Sequence, residues 1–274
     1  MKPDDFQLLS GILKERSGLV LTADKAYLLE SRLLPIARKQ GLAGLDDLVR
    51  AIRTSREERL ISVVTEAMTT NESLFFRDSS PFDQMRKSML PALLKARAGI
   101  RRLRVWSAAC STGQEPYSLA MLFKEEAAAV AGYRIELVGT DLSTEVLEKA
   151  KAGLYSQFEV QRGLPIAMLA KYFAKVGDMW QIKPDLRGMV QFRPHNLLHD
   201  FSLLGQFDVI FCRNVLIYFD QATKAQILGR MAKLLPVDGF LVLGGAETVL
   251  GITDRFAPVP GMRGIYAVVP DKVQ

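Results

Sequence analysis

The chain has 274 residues, 49% hydrophobic and 24% charged. That is enough apolar matter for a large core, or a large and a small one, and it excludes a disordered chain. No apolar run approaches the roughly 18 residues of a membrane span. The start MKPDDFQLLS lacks the layout of a secretory leader, and two cysteines, Cys110 and Cys212, are too few for a disulfide framework and point to a reducing cytoplasm.

Residues 1 to about 75 read as helices only. In DDFQLLSGILKERSG the residues Phe6, Leu9, Ile12 and Leu13 share one helical face, and Gly18 ends the helix. KAYLLESRLLPIARKQG is a second helix with Leu29, Leu33 and Ile36 inward and a kink expected at Pro35. GLDDLVRAIRTS and REERLISVVTEAMTT add two more, the last burying Leu60, Val63, Val64, Ala67 and Met68. The second helix also carries Lys25, Arg32 and Lys39 at seven-residue spacing, with Arg38 beside the last. These cations fall on roughly one face, which reads either as a solvated surface or as a docking strip for an acidic partner.

From about residue 80 the pattern alternates. A helix, SPFDQMRKSMLPALLKARAG, leads to strand RRLRVWSAA, helix EPYSLAMLFKEEAAAVAG, strand YRIELVGTD and helix LSTEVLEKAKAG, with Ser143 as its N-cap. Later come strand FDVIFCRN, helix QATKAQILGRMAKLLPVDG and strand FLVLGG, and then a last strand in PGMRGIYAVVP that reverses at the edge. Alternation of this kind implies a mostly parallel sheet covered on both faces. It lapses between residues 155 and 194, which hold one helical patch and the short strand candidates DMWQIK and GMVQFR. A stretch of that length inside a compact sheet domain is a small subdomain or a functional flap.

Open α/β sheets bind ligands beyond the carboxyl ends of their strands. After the first strand, SAACSTGQEPYS offers small residues and a single glycine, Gly113, where a dinucleotide loop wants three. Glu115, next to it, suits either the amides of the helix start or a cationic ligand, and it disfavours a pyrophosphate. Asp141, in GTDLS after the second strand, is placed to accept from ribose hydroxyls, or else to cap the next helix. A ribose, a positive centre and no phosphate fit S-adenosylmethionine (SAM) better than NAD or ATP. Asn196 in RPHNLLHD, and Arg213, Asn214 and Tyr218 in FCRNVLIYFD, follow later strands. An asparagine there pairs with an adenine edge or makes a turn. In the connecting stretch TTNESLFFRD, Asn71, Ser73 and Arg77 are unusual for a plain linker, and Phe75 and Phe76 suggest that it packs down.

TTNESLFFRD, WSAACSTGQEPYSLA, GTDLS, HNLL and FDVIFCRNVLIYF, in this order, resemble the chemotaxis receptor methyltransferases (CheR family) over nearly the whole chain. The resemblance implies a small all-helical N-terminal domain (1–75). It implies a class I methyltransferase-like Rossmann sheet after it (76–274), with an inserted small β-subdomain at about 155–194. It implies transfer of a methyl group from SAM to glutamate side chains on the cytoplasmic signalling helices of chemoreceptors, with S-adenosylhomocysteine as product. Matched one at a time, Asn71, Ser73 (where the family usually has Thr), Arg77, Glu115, Asp141, Asn196, Leu197, Arg213 and Asn214 are its cofactor contacts. Arg77 and Tyr218 are the residues nearest the reaction, and Lys25, Arg32, Arg38 and Lys39 become the receptor-docking strip.

Two departures carry expectations of their own. The hairpin YFAKVGDMWQIKP is shorter and poorer in glycine than in members that grip a receptor tether, so no pentapeptide tether is expected to be needed. GGAETVLG keeps the acid Glu247 but lacks the histidine of the family's G-H-S-E stretch, which puts in doubt any role for that strand end. No metal, nucleic acid or membrane insertion is expected, and the chain reads as a monomer. The alternatives are a methyltransferase for RNA or another protein, kept open by a net charge of +6, and a non-enzymatic SAM-binding sensor. Against the RNA reading, the charge is spread evenly along the chain, with no basic tail or arm that would track phosphates.

Overall fold

A computed structural model describes residues 1–55 and 57–272. Its contacts divide the chain into two units. The first is Met1–Thr70 joined by Tyr218–Thr223, and the second is Asn71–Ile217 with Lys224–Gln274.

The first unit holds four helices, α1 (Pro3–Ser17), α2 (Ala26–Lys39), α3 (Leu45–Ser55) and α4 (Glu58–Met68). Gly18 ends α1 in the left-handed conformation, with its N–H on the carbonyl of Lys14. The helix α2 runs through Pro35 as one element, preceded by a 3-10 turn at Ala23–Lys25. Leu9, Leu13, Leu29, Leu33, Ala37 and Val64 are sealed in its core. The stripe of α4 is rotated from the expected one. Ile61 and Thr65 are buried, whereas Val63 and Ala67 lie at the margin. The segment 218–223 is held here through Val20 N–H on the Tyr218 carbonyl (3.0 Å) and through Lys14 against Asp220 (2.9 Å).

The second unit begins with α5 (Ser80–Gln84), which passes through a π-turn (Met85–Met89) into α6 (Leu90–Ala96). Pro91 explains the widened turn: its ring has no N–H and would collide with the carbonyl four residues back in a regular helix. Then come β1 (Arg102–Ala108), α7 (Gln114–Glu125), β2 (Arg134–Asp141), α8 (Thr144–Ala152) and β3 (Leu154–Ser156). They are followed by α9 (Gln157–Gln161), α10 (Ile166–Tyr172), β4 (Phe173–Val176), β5 (Met179–Ile182), α11 (Pro184–Arg187) and β6 (Val190–Pro194). The chain closes with β7 (Val209–Cys212), α12 (Gln221–Leu234), β8 (Phe240–Leu243), β9 (Phe256–Pro258) and β10 (Ile265–Val268). Ser143 caps α8, accepting from Val146 N–H as its position suggested.

The main sheet has the order β6-β2-β1-β7-β8-β10-β9. β10 runs antiparallel to β8 and β9, and the other pairings are parallel. The expected reversal is therefore present, although β9 rather than β10 forms the edge. The 155–194 stretch is split by the fold. Its β4 and β5 join β3 in a separate antiparallel sheet of order β3-β5-β4, whereas β6, from GMVQFR, pairs with β2 in the main sheet. Strand order reverses between β1 and β7, which places the ligand-binding crevice at their carboxyl ends.

Candidate functional site

Six of the seven non-glycine residues with positive φ among the described residues cluster at this edge. Phe76, Asp78 and Ser79 lie on the connecting stretch, Ala109 and Ser111 in the loop after β1, and Asn214 in the loop after β7. Backbone strain of this kind persists where the surroundings hold it, and it concentrates at functional sites.

After β1 the turn uses left-handed residues at Ala109, Ser111 and Gly113. Only the last is a glycine, which explains how the loop manages with one. It is held by Asp141 from the end of β2. The two carboxylate oxygens of Asp141 accept Ser111 N–H (2.8 Å) and Ser143 N–H (2.9 Å), and the side chain is buried. Asp141 is thus not the cap of α8, a task that falls to Ser143. Ser111 also donates its hydroxyl to the carbonyl of Asn71 (2.7 Å), tying the connecting stretch to the loop.

Glu115 does not cap α7: the N-cap position is Gly113, with no side-chain bond. Instead Glu115 accepts from the Ser107 hydroxyl at 2.7 Å and from the Arg213 guanidinium at 3.0 Å. Arg213, its side chain only 2% exposed, also reaches Asp78 (2.7 Å) and the carbonyl of Arg77 (2.9 Å). Its Nε is buried with no protein partner. Arg213 therefore ties the loop after β7 to Glu115 and to the connecting stretch.

The connecting stretch packs down as Phe75 and Phe76 suggested. Phe75 is sealed against Tyr155 and Phe173 with ring centroids 5.0 and 5.6 Å apart. Phe76 N–H donates to the Ser118 hydroxyl at 2.9 Å. Gly163 is mandatory beneath it, because a Cβ there would overlap the carbonyl oxygen of Phe75. Ser73 and Arg77 are half-buried, and the Arg77 guanidinium lies 3.4 Å from the carbonyl of Glu72.

Asn196 follows β6, beside His195, whose N–H bonds the carbonyl of Asp141. Its side-chain oxygen accepts Leu198 N–H (2.9 Å), the turn that its type allowed, and Leu197 is buried. Burial pushes the Cys110 and Cys212 thiols well above the ordinary range, so neither is a nucleophile.

Sequence reasoning passed over Asp78 and undervalued Glu247. The buried Glu247 carboxylate accepts N–H groups from Gly244, Asn214, Val215 and Leu216 at 2.7–2.9 Å. The doubt about that strand end is thereby corrected: the acid holds the loop after β7 without the family's histidine. The signal was available in GGAET, an acid past a strand end. Its four donors, most of them about 30 residues away, were not.

The remaining expected residues belong to the first unit. Tyr218 groups with the helical unit. Of the cationic strip in that unit, Lys25, Arg38 and Lys39 are exposed. Arg32 is corrected: its guanidinium turns onto its own unit, bonding the carbonyls of Met68 (2.7 Å) and Thr69 (3.0 Å) and the Thr70 hydroxyl (3.2 Å). It serves the carboxyl end of α4, where a cation complements the helix dipole.

The buried carboxylate of Asp141, the half-buried one of Glu115, an amide and an orphaned buried Arg213 Nε, set where the backbone is strained, fit a ligand that carries a ribose and a positive centre. Comparison with known proteins agrees. Residues 71–265 match the model described as "CheR methyltransferase, SAM binding domain", and residues 4–69 match "CheR methyltransferase, all-alpha domain". Chemotaxis protein methyltransferase 1 of Pseudomonas aeruginosa is 44% identical over 95% of this chain and 96% of its own length. The protein of that name from Vibrio cholerae is 41% identical over 92% of each, and the chemotaxis protein methyltransferase of Vibrio anguillarum is 40% identical over 95% of each. The chain belongs to the CheR methyltransferase family and carries that family's SAM-binding domain.

Proposed function

We propose that this methyltransferase esterifies glutamate side chains on the cytoplasmic signalling helices of chemoreceptors, acting in the cytoplasm as a monomer. SAM supplies an electrophilic methyl group on a sulfonium centre. A glutamate carboxylate is already ionised at neutral pH, its reference pKa being about 4.3, so the residues of the chain need only bind, orient and exclude water. The observation that carries the reading is the linked set Asn71–Ser111–Asp141 and Arg77–Arg213–Glu115 at the switch point of the sheet. In it Asp141 meets the ribose, Asn196 and Leu197 the adenine, and Glu115 the charged amino-acid end. Asn71, Ser73, Arg213 and Asn214 complete the cofactor contacts. Arg77 orients the receptor carboxylate, and Tyr218 keeps the role near the methyl that the family resemblance gives it.

The division of labour follows the chain. The helical unit docks the receptor through Lys25, Arg38 and Lys39, whose ammonium and guanidinium groups face water. The 76–274 domain performs the transfer, and its insertion at about 155–194 acts without a receptor tether. The two-residue turn, Gly177–Asp178, between β4 and β5 supports this last point, since so short a hairpin offers little surface to a peptide.

Transfer of labelled methyl groups from SAM to receptor cytoplasmic fragments, followed by release at high pH, tests the reading. The expected product is a base-labile ester on glutamate, formed equally on receptors lacking a tether. The double variant Lys25→Glu/Lys39→Glu should raise the receptor KM several-fold and leave the SAM KM unchanged. Labelling of RNA, or cofactor binding without transfer to any receptor, would overturn it.

A further inference from the structure

We propose that Glu247 is the positioning residue of the cofactor site, holding the loop after β7 in the shape that presents Arg213 and Asn214. This rests on the reading of those two residues as cofactor contacts.

Three consecutive N–H groups, those of Asn214, Val215 and Leu216, converge on the Glu247 carboxylate together with Gly244 N–H. Convergent backbone amides of this kind form an anion-binding concavity, and here the anion is built into the chain. β7 and β8 are already paired from Val209↔Phe240 to Cys212↔Leu243. The strands therefore do not need Glu247, and its bonds act on the residues beyond Cys212, where the ladder has ended. Asn214 sits there at φ 60°, a conformation disfavoured for a residue with a side chain. The neighbouring Gly244 leaves no slack. A Cβ on it would lie 2.8 Å from Glu247 Oε2 and 3.0 Å from Asn214 N.

Only a carboxylate, with two acceptor oxygens, satisfies this set. An amide offers one acceptor oxygen and would turn its NH2 toward N–H donors. In the full-length Glu247→Gln protein the loop relaxes, and the Asn214 side chain is re-aimed although both contact residues remain in the sequence.

Calorimetric titration with S-adenosylhomocysteine of wild type, Glu247→Gln and Asp141→Asn, with hydrogen exchange of the folded proteins, tests the inference. Both variants should bind about tenfold more weakly or worse, the loss expected from one charge-assisted hydrogen bond. Exchange in Glu247→Gln should quicken at residues 214–216 and stay unchanged in α7. Should Glu247→Gln fail to fold, Gly244→Ala carries the same expectation, because its methyl wedges the same contact. Wild-type affinity in the folded Glu247→Gln or Gly244→Ala protein, with Asp141→Asn weakened, overturns the role of Glu247 alone. Wild-type affinity in Asp141→Asn as well overturns the cofactor reading beneath it.

Discussion

The loops after β1 and β7 solve one problem in two ways. Each places a side-chain-bearing residue at positive φ, Ser111 in one and Asn214 in the other, and each is held by a buried carboxylate from a neighbouring strand's carboxyl end. Asp141 stands at the very end of its strand, and its oxygens accept from Ser143, two residues on, and from the β1 loop. Glu247 sits past the end of β8 and spends three of its four bonds on the β7 loop. An acid at a strand end can serve two loops at once. An acid encircled by amides is consumed by the fold, and on the proposed reading the residues it holds meet the ligand in its place.

The bridge between the loops is Arg213, and its removal should give the largest effect. Arg213→Met leaves Glu115, with its side chain 13% exposed, against Ser107 alone. A loss of about 3 kcal/mol in denaturant unfolding is expected, the usual cost of orphaning one partner of a buried pair, together with weakened cofactor binding. A loss below about 1 kcal/mol, the range of an exposed pair, would mean that the β1 loop stands without the β7 loop.

Next comes Gly163→Ala, which pushes on Phe75 and through the connecting stretch on the Asn71–Ser111 bond. Overpacking of this kind costs about 2 kcal/mol, to be read as a lower Tm with reduced cofactor affinity. An unchanged affinity would show that the connecting stretch does not brace the β1 loop.

The smallest effect belongs to Ala109→Gly. At φ 54° the glycine removes strain while it adds unfolded-state entropy, so stability should stay within about 1 kcal/mol of wild type and affinity should not move. Asn214→Gly, equally permissive for the backbone, should weaken binding because it deletes the proposed cofactor contact. If the two glycine variants behaved alike, the distinction between a loop that only turns and a loop that also presents a side chain would fail.

Much of this was legible in the sequence because it is local. Alternating apolar runs fixed β1, β2, β7 and β8, and the acid at the end of β2 stood where a strand end is recognisable. What escaped depends on distant partners. Helical periodicity gave the face of Arg32 but not the direction of its long side chain, which the carbonyls of Met68 and Thr69 at the end of α4 decide. GMVQFR reads as a strand in either sheet, and only pairing with β2 assigns it. Phe173–Val176 is not among the strand candidates of the sequence, and only pairing with β5 makes it one. SPFDQMRKSMLPALLKARAG reads as one helix, and the π-turn at Met85–Met89 within it was not foreseen.

The helical unit is not a single stretch of chain, since it includes Tyr218–Thr223. During synthesis its first seventy residues leave the ribosome together, but the partners of Lys14 and Val20 emerge only after seven strands of the sheet unit. Units of a chain otherwise tend to fold in the order they are made. Here the first to appear is among the last to be finished, and a chain severed after Thr70 would leave it permanently incomplete.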